Sequence, residues 1–376
     1  MRNEISKSVV ISHADAFGGM KMGPKRYHGL DLLRSLALLL GVIFHAAMPV
    51  LTPEYLGLPS NQVEIEPARA LGLFVAWSHV WRMPLFFLLA GFFAQMVLSR
   101  RGPKTFLKDR AIRIFGVLLV FCVVFAALSG GSPLELGHLW FLWFLTMMCV
   151  LSAVLWHLPS HRIERLVRWT TSSVPRLVVL VLPVALVNSF GRNGLSNIVP
   201  VTVLDPEFGG FLFFWCFFLI GQALWLGRAL IEDLAQAGVY GSFLLGGSLL
   251  AILLSGWPPD TIAFQLVAAA ATLMLIFGLI GVTQAFLGKP SRLVSFTVRA
   301  SYPVYIVHVW PAIAMTIAFL NLGVDSTVAV ICSTMGTILV SLVIYAILVR
   351  HTPVDWLFSG YRNSWFKWPW RANGWS

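Results

Sequence analysis

The sequence predicts an all-α polytopic membrane protein of about ten transmembrane helices with both termini cytoplasmic, and three observations carry that prediction. First, 58% of the 376 residues are hydrophobic and only 11% are charged, a balance outside that of ordinary globular domains. Second, the apolar residues gather in runs of spanning length at 30–50, 71–98, 111–128, 137–157, 177–190, 209–228, 240–256, 261–287, 303–320 and 326–349. Third, when these runs are threaded alternately, 23 of the 27 Lys and Arg fall on one side, which is therefore cytoplasmic. The other side holds Arg69 and Arg192, and Arg34 and Arg82 lie inside runs. The formal net charge of +11 would suit nucleic acid in a soluble domain. Here the cations sit in short loops between apolar runs, so topology accounts for them and no nucleic-acid partner is expected.

Residues 1–26 are mostly polar and lack an apolar signal core, so they read as a cytoplasmic N-terminal tail. Residues 27–350 form the ten-helix membrane domain. Residues 351–376 carry Trp356, Trp365, Trp368, Trp370 and Trp375 among Arg362, Lys367 and Arg371, a composition suited to the headgroup level. The four cysteines sit inside predicted spans without CxxC spacing, so neither disulfides nor a zinc site is expected. No internal repeat supports the inverted-repeat plan of many transporters.

The first run, Asp31 to Val50, holds Arg34 and His45. Eleven positions at about 100° each make roughly 1100°, three turns and a small remainder, so the two side chains share a face. An arginine at a helix centre costs on the order of 3 kcal/mol, which points to something specific against that face. The plainer alternative is that Arg34 snorkels or pairs with Asp31. In the second run His79 and Arg82 are three apart on one face, and Pro84 opens the backbone ladder beside them.

The fourth run begins at the outer boundary with His138, Trp140 and Trp143. The tryptophans suit an interfacial belt; the histidine does not. The ninth places Tyr305 and His308 on one face in the cytoplasmic half. Counting about 1.5 Å per residue, Arg34 lies roughly 6 Å and His45 roughly 22 Å from the inner end of their helix. With His308 in the inner half and His138 at the outer rim, the polar groups are expected to mark a track across the membrane. No P-loop, dinucleotide turn, metal-ligand cluster or nucleophile signature accompanies them.

Taken together, Arg34-x10-His45, His79-x-x-Arg82-Met with Phe86-Phe87 and Gly91, His138-Leu-Trp-Phe-Leu, and Ser301-Tyr302-Pro303-x-Tyr305-x-x-His308 resemble the acyltransferase family 3 membrane proteins. The match covers roughly residues 26–350 and is nearest to members that succinylate osmoregulated periplasmic glucans. Ala90 stands where the family often has Ser. The resemblance implies a ten-helix acyltransferase of the bacterial inner membrane with no tightly bound cofactor and no metal. It also implies acyl-CoA, with succinyl-CoA expected, as co-substrate and a glucan or other carbohydrate as acceptor.

On this reading His45 is the candidate general base, since a neutral imidazole can take a hydroxyl proton. Arg34 suits the phosphates or pantetheine arm of CoA, and Arg82 the acyl carboxylate or the developing oxyanion. Asp31 joins the binding set beside Arg34. His79, Tyr305 and His308 line the route, and His138 with Trp140 and Trp143 offers a platform for sugar rings. A transporter exporting a glucan or small anion, and a structural or sensory subunit, stay open beside it. The sequence fixes neither the acyl group, the acceptor, the partner orienting His45, direct against acyl-histidine transfer, nor the oligomeric state.

Overall fold

Hydrocarbon offers no partners to backbone N–H and C=O groups, so an apolar chain must satisfy them internally. The computed structural model, described over residues 27–52, 65–156, 161–193, 196–205, 207–254, 256–289 and 291–359, does so with helices. The only ladder among the described residues pairs β1 (Arg192–Asn193) with β2 (Ser196–Asn197). The expected N-terminal tail (1–26) and most of the Trp/Arg-rich tail (360–376) lie outside the described residues.

The helices begin with α1 (His28–Leu51) and α2 (Ile65–Arg110), which continues through a π-turn into α3 (Gly116–Ser129). Then come α4 (Trp140–Leu155), α5 (His161–Thr170), α6 (Val181–Gly191) and α7 (Phe208–Leu226). They are followed by α8 (Leu230–Leu234), α9 (Ala237–Leu253) and α10 (Ile262–Leu287). The last are α11 (Arg292–Val307), α12 (Val309–Asn321), α13 (Ser326–Ile344) and α14 (Asp355–Ser359).

Among the described residues seven helical stretches are long and apolar enough to cross a membrane, or eight when the bent pair α11 and α12 counts as one span. The chain is a multi-pass membrane protein. One stretch, Arg69–Ser129, has 61 residues, roughly 92 Å of helix and about three hydrocarbon thicknesses. It is interrupted at Gly102, whose φ of 72° and ψ of 167° are closed to other residues, and Pro103 follows. Val123 and Leu128 on α3 and Leu182 on α6 point outward, as an acyl-chain solvent requires.

Helix α1 is the hub, packing against α2, α10, α11, α12 and α13. The tightest neighbour pair, α2 and α7, meets through small residues. A Cβ on Gly91 would lie 1.9 Å from the Phe218 carbonyl oxygen, and one on Gly221 would lie 1.8 Å from that of Leu88. Without a hydrophobic driving force between helices in lipid, such backbone contact is what holds them.

Three prolines then open the helical ladders of α1, α2 and the broken span. Pro49, Pro84 and Pro311 each lack an N–H, so the carbonyls four residues earlier, on His45, Val80 and Val307, lose their helical donors. At the third of these the chain breaks at His308 and bends by 68°.

Candidate active site

The broken span builds the site. With α11 ending at Val307, its last carbonyls have no helical partner, and two histidines take them. His308 Nδ1 donates to the Tyr305 carbonyl at 2.5 Å. His138 Nε2, arriving from the turn before α4, donates to the Ile306 carbonyl at 2.8 Å. Because a carbonyl only accepts, these bonds fix both protons. They leave His308 Nε2 without a hydrogen-bond partner, and that ring is fully buried.

His45 completes the cluster. Its ring centroid is 5.1 Å from His308 and 6.3 Å from His138, and the last two are 5.8 Å apart. Its own Nδ1 lies 3.2 Å from Met48 Sδ, one turn further along α1. A thioether can only accept, so a hydrogen bond here puts the hydrogen on Nδ1 and leaves the lone pair on Nε2. The expected track of polar groups at successive depths is therefore corrected: His45, His138 and His308 sit together. Depth counting along an unbroken helix placed His308 away from His138, and the proline-driven bend brings it across.

Arg82 forms the other wall. Its side chain is buried, its guanidinium carbon sits 4.9 Å from the Phe44 ring centre, and its Nε has no partner. Phe44 stacks on His79 at 5.1 Å. A Cβ on Gly41 would come within 2.8 Å of the Tyr305 ring and 3.2 Å of Arg82 Nη1. The missing side chain at Gly41 lets Tyr305 and Arg82 reach α1. Tyr305 in turn packs 4.8 Å from His308 and 4.9 Å from Phe141.

Arg34 lies elsewhere. It pairs with Asp31 at 3.8 Å and its guanidinium rests over Phe93 at 5.2 Å. Arg110, Arg113 and Tyr302 are within its electrostatic range, and the Tyr302 hydroxyl donates to the Arg113 carbonyl at 3.0 Å. Three arginines thus gather at the N-terminal end of α1. Trp140 is enclosed by Phe87, Phe144 and Phe214, with centroids 5.2 to 6.1 Å away. Trp143 also packs on the core, with its Nε1 buried. Both therefore serve the aromatic packing beside His138.

Met48, Gly41, Arg110, Arg113 and Arg192 were missed as site residues. Met48 had a legible signal, its place three residues after His45. Arg192 had none, since its contacts lie far away in the chain. Its side chain is buried, and Nη2 donates to the Val80 carbonyl at 2.8 Å, the group freed by Pro84. Among the described residues no group of three or more His, Cys, Asp or Glu is placed to hold a metal ion.

A family model described as an acyltransferase domain matches residues 27–346, so it covers every residue of this constellation. Glucans biosynthesis protein C of Escherichia coli O81 (strain ED1a) is 23% identical over 383 aligned positions, covering 89% of this chain and 95% of that protein. The protein of the same name from Salmonella gallinarum (strain 287/91 / NCTC 13346) is 21% identical, with 90% and 95% covered. No solved structure matches the chain. A half-buried base candidate, an uncompensated arginine and a domain match over most of the length point one way: the chain belongs to the acyltransferase 3 family and is a membrane O-acyltransferase.

Proposed function

We propose that the enzyme moves a succinyl group from cytoplasmic succinyl-CoA to a hydroxyl of a periplasmic glucan, across the bacterial inner membrane. The observation that carries this reading is the contact of His45 Nδ1 with Met48 Sδ at 3.2 Å beside His138 and His308. With Nδ1–H directed at Met48 Sδ, Nε2 keeps its lone pair, in a ring 5.1 Å from His308 and 6.3 Å from His138. The acceptor oxygen attacks the thioester carbonyl while its proton passes to His45 Nε2. Arg82, buried and without a counter-ion, stabilises the oxyanion. Collapse breaks the carbon–sulfur bond, and the CoA thiolate recovers the proton from His45. No ATP and no tightly bound cofactor is required, because the thioester is already activated.

The cytoplasmic donor fits the second cluster. Arg34, Arg110 and Arg113 offer cations to the CoA phosphates, and Asp31 keeps Arg34 in place. Counting the 61-residue stretch as two passes and including α9 and the bent pair gives ten crossings, so both termini face the cytoplasm. Residues 27–350 then form one acyltransferase domain flanked by a cytoplasmic tail and an interfacial tail. The names of the glucan-biosynthesis relatives support the acceptor.

The test incubates purified protein with labelled succinyl-CoA or acetyl-CoA and a periplasmic glucan extract. Label from succinyl-CoA should move to glucan, and His45→Ala should bring transfer to background. Transfer from neither donor, or undiminished transfer by a folded His45→Ala protein, would overturn the proposal. Trapped acyl-enzyme on His45 would place the covalent route above direct transfer.

A further inference from the structure

The mechanism above leaves one buried cation unused. Arg192 ends α6 and begins β1, is 6% exposed, and lies with its guanidinium carbon 4.6 Å from the Phe213 ring centre. Among the described residues it forms no ion pair. One of its nitrogens, Nη2, donates to the Val80 carbonyl, while Nε and Nη1 have no partner.

Capping that carbonyl does not account for the charge. The Thr272 hydroxyl already donates to the same oxygen at 3.3 Å, and a neutral side chain could supply a second donor without desolvating a cation. A guanidinium with Nε and Nη1 buried and without hydrogen-bond partners keeps donors for a carboxylate. Its position relates it to the active site, because the Val80 carbonyl that it caps lies on α2 between His79 and Arg82. This stretch of α2 thus brings together two arginines that form no ion pair among the described residues, Arg82 itself and Arg192 on the Val80 carbonyl. The tetrahedral oxyanion of acyl transfer needs one of them. A carboxylate at the far end of the acyl group would use the other.

We propose that Arg192 is a specificity-determining residue that holds the terminal carboxylate of a dicarboxylic acyl group, leaving Arg82 to the carbonyl oxygen. This rests on the acyl-CoA reading above and extends it from a class of reaction to a class of acyl chain.

The experiment measures, by calorimetry on the full-length protein in lipid nanodiscs, binding of succinyl-CoA, of its terminal amide and of free CoA. Wild type should prefer succinyl-CoA over the uncharged amide by about tenfold or more. In Arg192→Gln that ratio should fall towards one, with free-CoA binding as the check on folding. Should Arg192→Gln fail that check, Arg192→Lys decides. A partly reduced ratio supports the assignment, because lysine keeps the charge without the fork, and a wild-type ratio overturns it. A wild-type enzyme indifferent to the amide, or the same preference in Arg192→Gln, also overturns it. If wild type binds none of the three CoA species, the acyl-CoA reading itself fails.

Discussion

Arg34 and Arg82 are both arginines inside predicted spans, yet their surroundings differ. Arg34 is about a third exposed and pairs with Asp31, and its neighbours Arg110 and Arg113 each lie within 4 Å of Asp109. Arg82 is 5% exposed, has no ion pair among the described residues, and is walled by Phe44, Tyr305 and Gly41. The first arrangement is cheap, because half-hydrated charges with acid partners lose little on folding. The second costs several kcal/mol. A chain that tolerates this expense at one place and avoids it at the other separates recognition from chemistry. The compensated cluster suits a mobile polyanion that must bind and leave, and the uncompensated one suits charge that exists only in the transition state.

Four substitutions test that division, taken from the largest effect downward. His45→Ala should lower kcat by about 10²–10⁴-fold, the range of a general base, in single-turnover transfer assays. Arg82→Gln should lower kcat by about 10²–10³-fold while the KM for acyl-CoA changes far less, as expected for a donor used only in the transition state. An equal effect on KM would erase the contrast with Arg34. Arg34→Ala should act mainly on KM, raising it about tenfold, the equivalent of one charged hydrogen bond. Steady-state kinetics at two ionic strengths would show this effect shrinking in high salt. Met48→Leu keeps volume but removes the acceptor that holds the His45 hydrogen. Its expected loss in kcat is about fivefold, near the net value of one hydrogen bond, with thermal stability nearly unchanged.

The proline positions explain how far the linear chain could be read. Pro84 beside His79 and Arg82 was legible as an opened ladder, because the missing N–H acts on a carbonyl four residues back. Pro311 governs the site most, and its effect shows only in three dimensions. Its bend places His308 5.8 Å from His138, where helix counting had assigned opposite halves of the bilayer. The same bend frees the Tyr305 and Ile306 carbonyls that fix the two tautomers. Met48 stands at one-turn spacing from His45, but a thioether is a weak acceptor, so spacing alone does not mark it as the group that orients the imidazole. Arg192 carried no local signal, since the Val80 carbonyl and the Phe213 ring come from α2 and α7.

The sequence by itself determined the apolar runs, the intramembrane positions of Arg34, His45, His79 and Arg82, and the family resemblance, because hydropathy and helical spacing are properties of neighbouring residues. Tertiary structure alone decided which of those groups share a site. Helix α1 meets α11 and α12 only through packing, and the absent side chain at Gly41 admits Tyr305 and Arg82 to its surface. Whether a buried cation is compensated depends on side chains from other helices, and no local pattern in the chain encodes that.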